Sequence, residues 1–106
     1  MNYRVIITDG AFADIEKFLD YLEFDQQSPL TATRWWRKAV ACVDTLRTMP
    51  HRCPKPPEND LRDYTIRTMI VDSHLFLFRV DEDKRVVEVF GFRHGSQLPQ
   101  ENKLPE

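Results

Sequence analysis

Three arginines and one histidine, Arg67, Arg79, Arg93 and His94, are the residues of this chain whose type and placement best suit chemistry. A guanidinium keeps its proton and forks onto phosphate or carboxylate oxygens, so arginines recurring along one stretch point to an anionic partner. The competing expectation is that they are solvated or pair with nearby acids such as Asp81 or Glu88. His51 and Cys53 are close enough to touch one metal ion, but neither a CxxC nor an HExxH accompanies them, so no metal and no cofactor is expected.

Strand-like runs must position these residues. Tyr64–Val71, Leu75–Val80 and Val86–Phe92 are rich in β-branched and aromatic residues. Asp72-Ser73 and Asp81–Lys84 separate them with polar turns. Connections so short cannot make the crossover a parallel pair needs, which predicts an antiparallel meander. Upstream, Tyr3–Thr8 predicts another strand, and Asp9 offers a cap to a helix whose apolar stripe is Phe12, Ile15, Phe18, Leu19 and Leu22. A second helix starts near Ser28-Pro29 or Thr31 and runs through Ala32, Trp35 or Trp36, Ala39, Val43, Leu46 and Met49 until Pro50 stops it. Neighbouring helical positions stand about 100° apart. One tryptophan is therefore expected to pack and the other to lie at the edge against a partner, unless both flank one broad face. Residues 51–63, with Pro54, Pro56 and Pro57, predict an ordered irregular loop. The single domain spans residues 1–96, and residues 97–106 read as a polar, mobile tail.

Composition narrows the function classes. A length of 106 residues makes one domain, with the 42% hydrophobic and 30% charged content of an ordinary globular protein. No apolar run matches a membrane span and the start MNYRVIITDG lacks signal-peptide character, so no membrane is expected and the cytoplasm is the default compartment. A net charge of −2 argues against a protein that binds nucleic acid mainly through phosphates. The charge is unevenly spread. Residues 11–25 carry five acids against Lys17, a local −4, whereas residues 31–49 carry Arg34, Arg37, Lys38 and Arg47 against Asp44, a local +3.

Alternation along the meander adds a further constraint. Phe76, Phe78 and Val80 oppose Leu75, Leu77 and Arg79, while Val87 and Val89 oppose Val86, Phe90 and Phe92. Both faces of the sheet are thus apolar, and a helical hairpin covers only one. The other needs a partner, a dimer mate or an inserted segment. The expected architecture is α+β, in the order β-α-α-β-β-β, with an antiparallel sheet and a helical hairpin packed on one face.

In that order the chain resembles the RelE/ParE superfamily, the toxin halves of bacterial type II toxin–antitoxin pairs, often labelled plasmid-stabilisation proteins. The residues that carry the resemblance are Tyr3–Thr8 leading into Ala11-Phe12-Ala13-Asp14-Ile15, then Ala32–Trp35 with Leu46 and Pro50. Ile66-Arg67, the Phe78-Arg79-Val80 triplet, and Val89 through Arg93-His94-Gly95 complete it, over roughly residues 3 to 99. The resemblance implies a cognate antitoxin that wraps the toxin, with contact to DNA only indirectly, through that antitoxin. It also implies one of two targets. Members similar to RelE cleave messenger RNA in the ribosome without a metal, and members similar to ParE are associated with inhibition of DNA gyrase.

Metal-free RNA cleavage needs a base for the 2′-hydroxyl, cations for the phosphate and an acid for the leaving oxygen. On that branch Arg67, Arg79 and Arg93 are the cations and His94 the proton carrier. His94-Gly95-Ser96 is closer to the histidine-glycine signature of the ParE side, although Gln97 stands where an arginine is frequent. The ParE-like reading therefore leads, with the ribonuclease and an inactive antitoxin-binding relic as alternatives. Under it Arg67, Arg93 and His94 meet the target, and Leu75, Leu77, Phe90 and Phe92 meet the antitoxin.

Overall fold

The computed structural model describes residues 2–106, in which β1 (Arg4–Ile7) leads into α1 (Asp9–Asp20) and α2 (Pro29–Asp44). These precede β2 (Arg67–Val71), β3 (His74–Asp81) and β4 (Val86–His94). α1 starts because the extended Thr8 accepts a hydrogen bond from the Ala11 N–H through Oγ1, at 3.2 Å. Asp9, expected to be the cap, is instead the first helical residue, where its carboxylate meets the positive end of the helix dipole. A π-helical turn over Tyr21–Asp25 ends this helix, and α2 opens on Pro29, where a missing N–H costs nothing. After α2 a 3-10 turn, Thr45–Arg47, buries Leu46. Met49 leaves the helical stripe it was expected to continue. It has φ +46° and is 71% exposed, because Pro50 disfavours right-handed helical backbone in the residue before it.

The sheet order is β1-β4-β3-β2. The meander β2-β3-β4 is antiparallel as predicted, whereas β1 lies parallel to β4, so the sheet is mixed rather than wholly antiparallel. The direction follows from where the strands begin. The segment after α2 runs along one end of the sheet: Arg47 accepts from the N–H of Tyr3, just before β1, and Pro54 accepts from the N–H of Thr68 in β2. Both strands therefore start at that end, and two reversals leave β4 running the same way as β2.

Ile15 of α1 and Trp35, Ala39 and Val43 of α2 pack on Val71, Phe76, Phe78, Val87 and Val89 to form the main core. Of the two tryptophans, Trp35 is the packed one and stacks on Phe76.

Face assignment departs from simple alternation at one point. Leu77 pairs with Gly91 while Phe78 pairs with Val89, so Phe90 is an extra residue, a β-bulge. The inserted residue inverts the parity beyond it. Phe90 points to the second face, but Phe92 returns to the helix side opposite Phe76, contrary to its expected place beside Phe90. Gly91 suits this bulge because a Cβ there would stand 3.0 Å from Leu77 Cδ1 and 3.2 Å from Leu77 Cβ.

The second face also differs from expectation, because it is covered in part by the chain itself. The last ten residues fold back instead of trailing, and Leu104 packs with Ile66, Leu77 and Phe90 in a second buried cluster, against which Leu75 is partly buried. An apolar face in water is covered by whatever segment reaches it, and here a leucine in an otherwise polar segment suffices.

Candidate functional site

The four residues singled out for chemistry lie at two ends of the sheet. Arg93 and His94 pair with Leu75 and His74 at the start of β3, whereas Arg79 pairs with Glu88 and Arg67 with Phe78 nearer its end. The four residue steps from Leu75 to Arg79 span roughly 13 Å of strand.

Arg93 is enclosed. Its Nε donates to Glu58 Oε2 at 2.6 Å and its Nη2 to Glu58 Oε1 at 3.0 Å, while Nη1 donates to the carbonyls of His94 and Gln97. The two side chains are 11% and 1% exposed, so this bidentate pair sits in the interior. Glu58 comes from a 3-10 turn, Pro57–Leu61, in the proline-rich loop. It was missed by sequence reasoning, because a single acid in an aperiodic loop carries no signal of the arginine 35 residues away.

Arg79 is held by Glu88 across the strand pair, Nε to Oε1 at 2.9 Å, with its guanidinium 4.8 Å from the Tyr64 ring centre. This is the pairing with Glu88 that composition allowed. Arg67 donates to the carbonyl of Cys53 at 2.8 Å rather than to a carboxylate. It lines a 290 Å³ cavity with His51, Tyr64, Arg79 and Glu82. His51 and Cys53 diverge, the first pairing with Glu82 and the second joining the main core. The His51 and Tyr3 hydrogen bonds hold the Glu82 carboxyl below its ordinary range.

His94 borders a larger cleft of 450 Å³ between α1, the strand ends and the C-terminal segment, with Lys17, Phe18, His74 and Phe92 among its walls. Its Nδ1 accepts from the Ser96 backbone N–H at 3.0 Å and lies 2.7 Å from Ser96 Oγ, which places the proton of the neutral ring on Nε2. The His74 ring stacks on Phe92 at 5.0 Å and meets His94 edge-on. Burial, and then the nearby His94, pushes the His74 pKa below its usual value, so this imidazole is neutral near pH 7. The cleft combines aromatic walls with Lys17 and two imidazoles, and the guanidinium at its margin is already neutralised by Glu58.

A third surface was only partly foreseen. β1 is an edge strand, and beside it a 200 Å³ groove is lined by Val5, Ile7, Phe12, Trp36, Val40 and Val43. Phe12 is 42% and Val40 47% exposed, and Trp36, the tryptophan left out of the core, stands edge-on to Phe12. Of the four side chains expected at a partner contact, Leu77 and Phe90 are buried under the C-terminal segment and Phe92 belongs to the helix side.

The sequence matches the family described as the ParE toxin of type II toxin-antitoxin systems, parDE, over residues 5–99. None of the curated proteins compared by sequence matches the chain. Among solved structures it is similar to the chromosomal ParDE toxin–antitoxin system from P. aeruginosa, with a TM-score of 0.68 and 18% identity over 87% of this chain and 95% of that one. It is also similar to the toxin–antitoxin complex RelBE2 from Mycobacterium tuberculosis, with a TM-score of 0.60 and 20% identity over 89% of this chain and 99% of that one. These two likenesses bear on the fold, which is the α+β architecture of RelE/ParE toxins. Because the family match takes in both helices and all four strands, the chain belongs to the ParE family of toxins of type II toxin–antitoxin systems.

Proposed function

We propose that this ParE-family toxin arrests growth by binding DNA gyrase rather than by cutting RNA, and that a cognate antitoxin neutralises it. The observation that carries the reading is the dispersal of the cations. Metal-free RNA cleavage needs unneutralised positive charge, a base and an acid converging on one phosphate. Here Arg93 is chelated by Glu58, Arg79 is paired with Glu88, and the two stand at different levels of the sheet. Arg67 and His94, each bordering a cavity, are the proposed contacts to the target, and Arg93 ties the loop that carries Glu58 to the His94–Gln97 turn.

For the antitoxin, the groove along β1 is the better fit, because Phe12 and Val40 on it are exposed and Val5, Ile7 and Trp36 are only partly buried. Arg34 and Arg37 on the adjoining helix suit an acidic amphipathic segment. Purified toxin should lower supercoiling by gyrase in proportion to its concentration, and added antitoxin should restore it. Unchanged supercoiling together with cut messages in a translation extract would refute the proposal in favour of a ribonuclease. Unchanged supercoiling with intact messages would mark an inactive antitoxin binder.

A further inference from the structure

The C-terminal segment, a 3-10 turn over Glu101–Lys103 that leads into the extended Leu104, is held in the way a receptor holds a short peptide. Arg62 spans it: Nε donates to the Pro105 carbonyl at 3.0 Å, Nη1 to the Glu101 carboxylate at 3.1 Å, and Nη2 to the carbonyls of Glu101 at 3.1 Å and Leu104 at 3.5 Å. The Tyr64 hydroxyl donates to the same Pro105 carbonyl, with its ring braced by the Arg79 guanidinium. Between these grips Leu104 enters the Ile66, Leu77 and Phe90 cluster and is 7% exposed. Lys103 adds an ion pair with Asp14 at 3.3 Å. Apart from these charged groups and one apolar anchor, what is recognised is main-chain carbonyl oxygen, which any peptide segment carries.

Two further observations separate the receptor from its occupant. Arg62, Tyr64, Ile66, Leu77 and Phe90 all lie within residues 5–99, which match the family, while the segment that fills the site lies beyond them. The filling is also incomplete, since Leu77, Phe90 and Leu104 all border the 450 Å³ cleft. We propose that Arg62, Tyr64 and the Ile66–Leu77–Phe90 face form a docking site for a short segment of a partner protein that enters as a single helical turn followed by an extended leucine, and that residues 101–105 occupy it intramolecularly. The segment it fits carries a leucine-sized anchor with a carboxylate three residues ahead of it. Such an occupant lowers the apparent affinity for a partner by the fraction of time the site is open.

The test uses the full chain and a synthetic peptide of residues 100–106, followed through the NMR signals of Leu77 and Phe90. The Leu104→Ser chain should bind the peptide saturably and at least about tenfold more tightly than the wild type, whose site is filled. Adding Arg62→Ala to that chain, or Leu104→Ser to the peptide, should abolish binding. Equal binding by both chains, or no saturable shift in the Leu104→Ser chain, would overturn the proposal. If Leu104→Ser does not fold, amide exchange decides: the Lys103 and Leu104 N–H groups, which donate to the Gln100 and Glu101 carbonyls, should be protected in the wild type and lose protection in Arg62→Ala, and free exchange in both would overturn it. A concentration-dependent dimer that Arg62→Ala dissolves would place the segment in a second copy and overturn the intramolecular assignment.

Discussion

Replacing Arg93 by methionine separates a structural cation from one that meets a target. The change leaves the Glu58 carboxylate, 1% exposed, without its two charge-assisted partners. Removing one member of a buried pair costs about 3–5 kcal/mol, because the remaining charge is uncompensated. A domain of this size has only about 5–15 kcal/mol in total, and each kcal/mol is worth roughly 4 °C, so the melting temperature should fall by about 12–20 °C. Glu58→Met should cost a similar amount. The double variant removes both charges and loses only the bonds from Arg93 to the His94 and Gln97 carbonyls, at about 1–3 kcal/mol. It should therefore be more stable than either single variant. Urea denaturation of the four proteins, followed by tryptophan fluorescence, measures this directly. A cost below about 1 kcal/mol for Arg93→Met, with a double variant no better than the singles, would refute the reasoning. Were that variant also folded and non-toxic in a growth test, Arg93 would be a contact to the target instead.

Three other outcomes are expected. Gly91→Ala brings a methyl group against Leu77 at the bulge, where the fixed Leu77 Cβ limits relief, so it should destabilise by about 1–3 kcal/mol in the same denaturation assay. A cost near zero would show that the bulge relaxes freely. Because burial and His94 hold the His74 pKa below 6.5, the folded state binds this proton less readily than the unfolded state. Stability should then decline as the pH falls from about 6.5 through the folded value, and His74→Phe should flatten that slope; parallel melting curves for the two proteins between pH 7.5 and 5 would refute it. Val40→Glu, on an exposed helical position, should change stability by less than about 0.5 kcal/mol yet weaken antitoxin binding at least tenfold by calorimetry, and equal affinity would move the antitoxin to another surface.

The order of elements, the antiparallel meander and the α1 stripe apart from the exposed Phe12 were legible in the linear chain, which left the start of α2 open between Pro29 and Thr31 and the packed tryptophan open between Trp35 and Trp36. Each depends on residues a few positions apart, where helical or strand periodicity alone decides which side chains share a face. Three features were settled only when distant segments met. One extra residue at Phe90 inverted the facing of Phe92, since a period of two cannot survive an insertion. Glu58 captured Arg93 from an aperiodic loop and turned an apparent binding cation into an internal strut. Leu104, in a segment that composition marked as mobile, found the apolar face that the helices could not reach. Local preference is written into neighbouring residues, but which charge is neutralised and which surface stays open depends on packing between parts of the chain that carry no mark of one another.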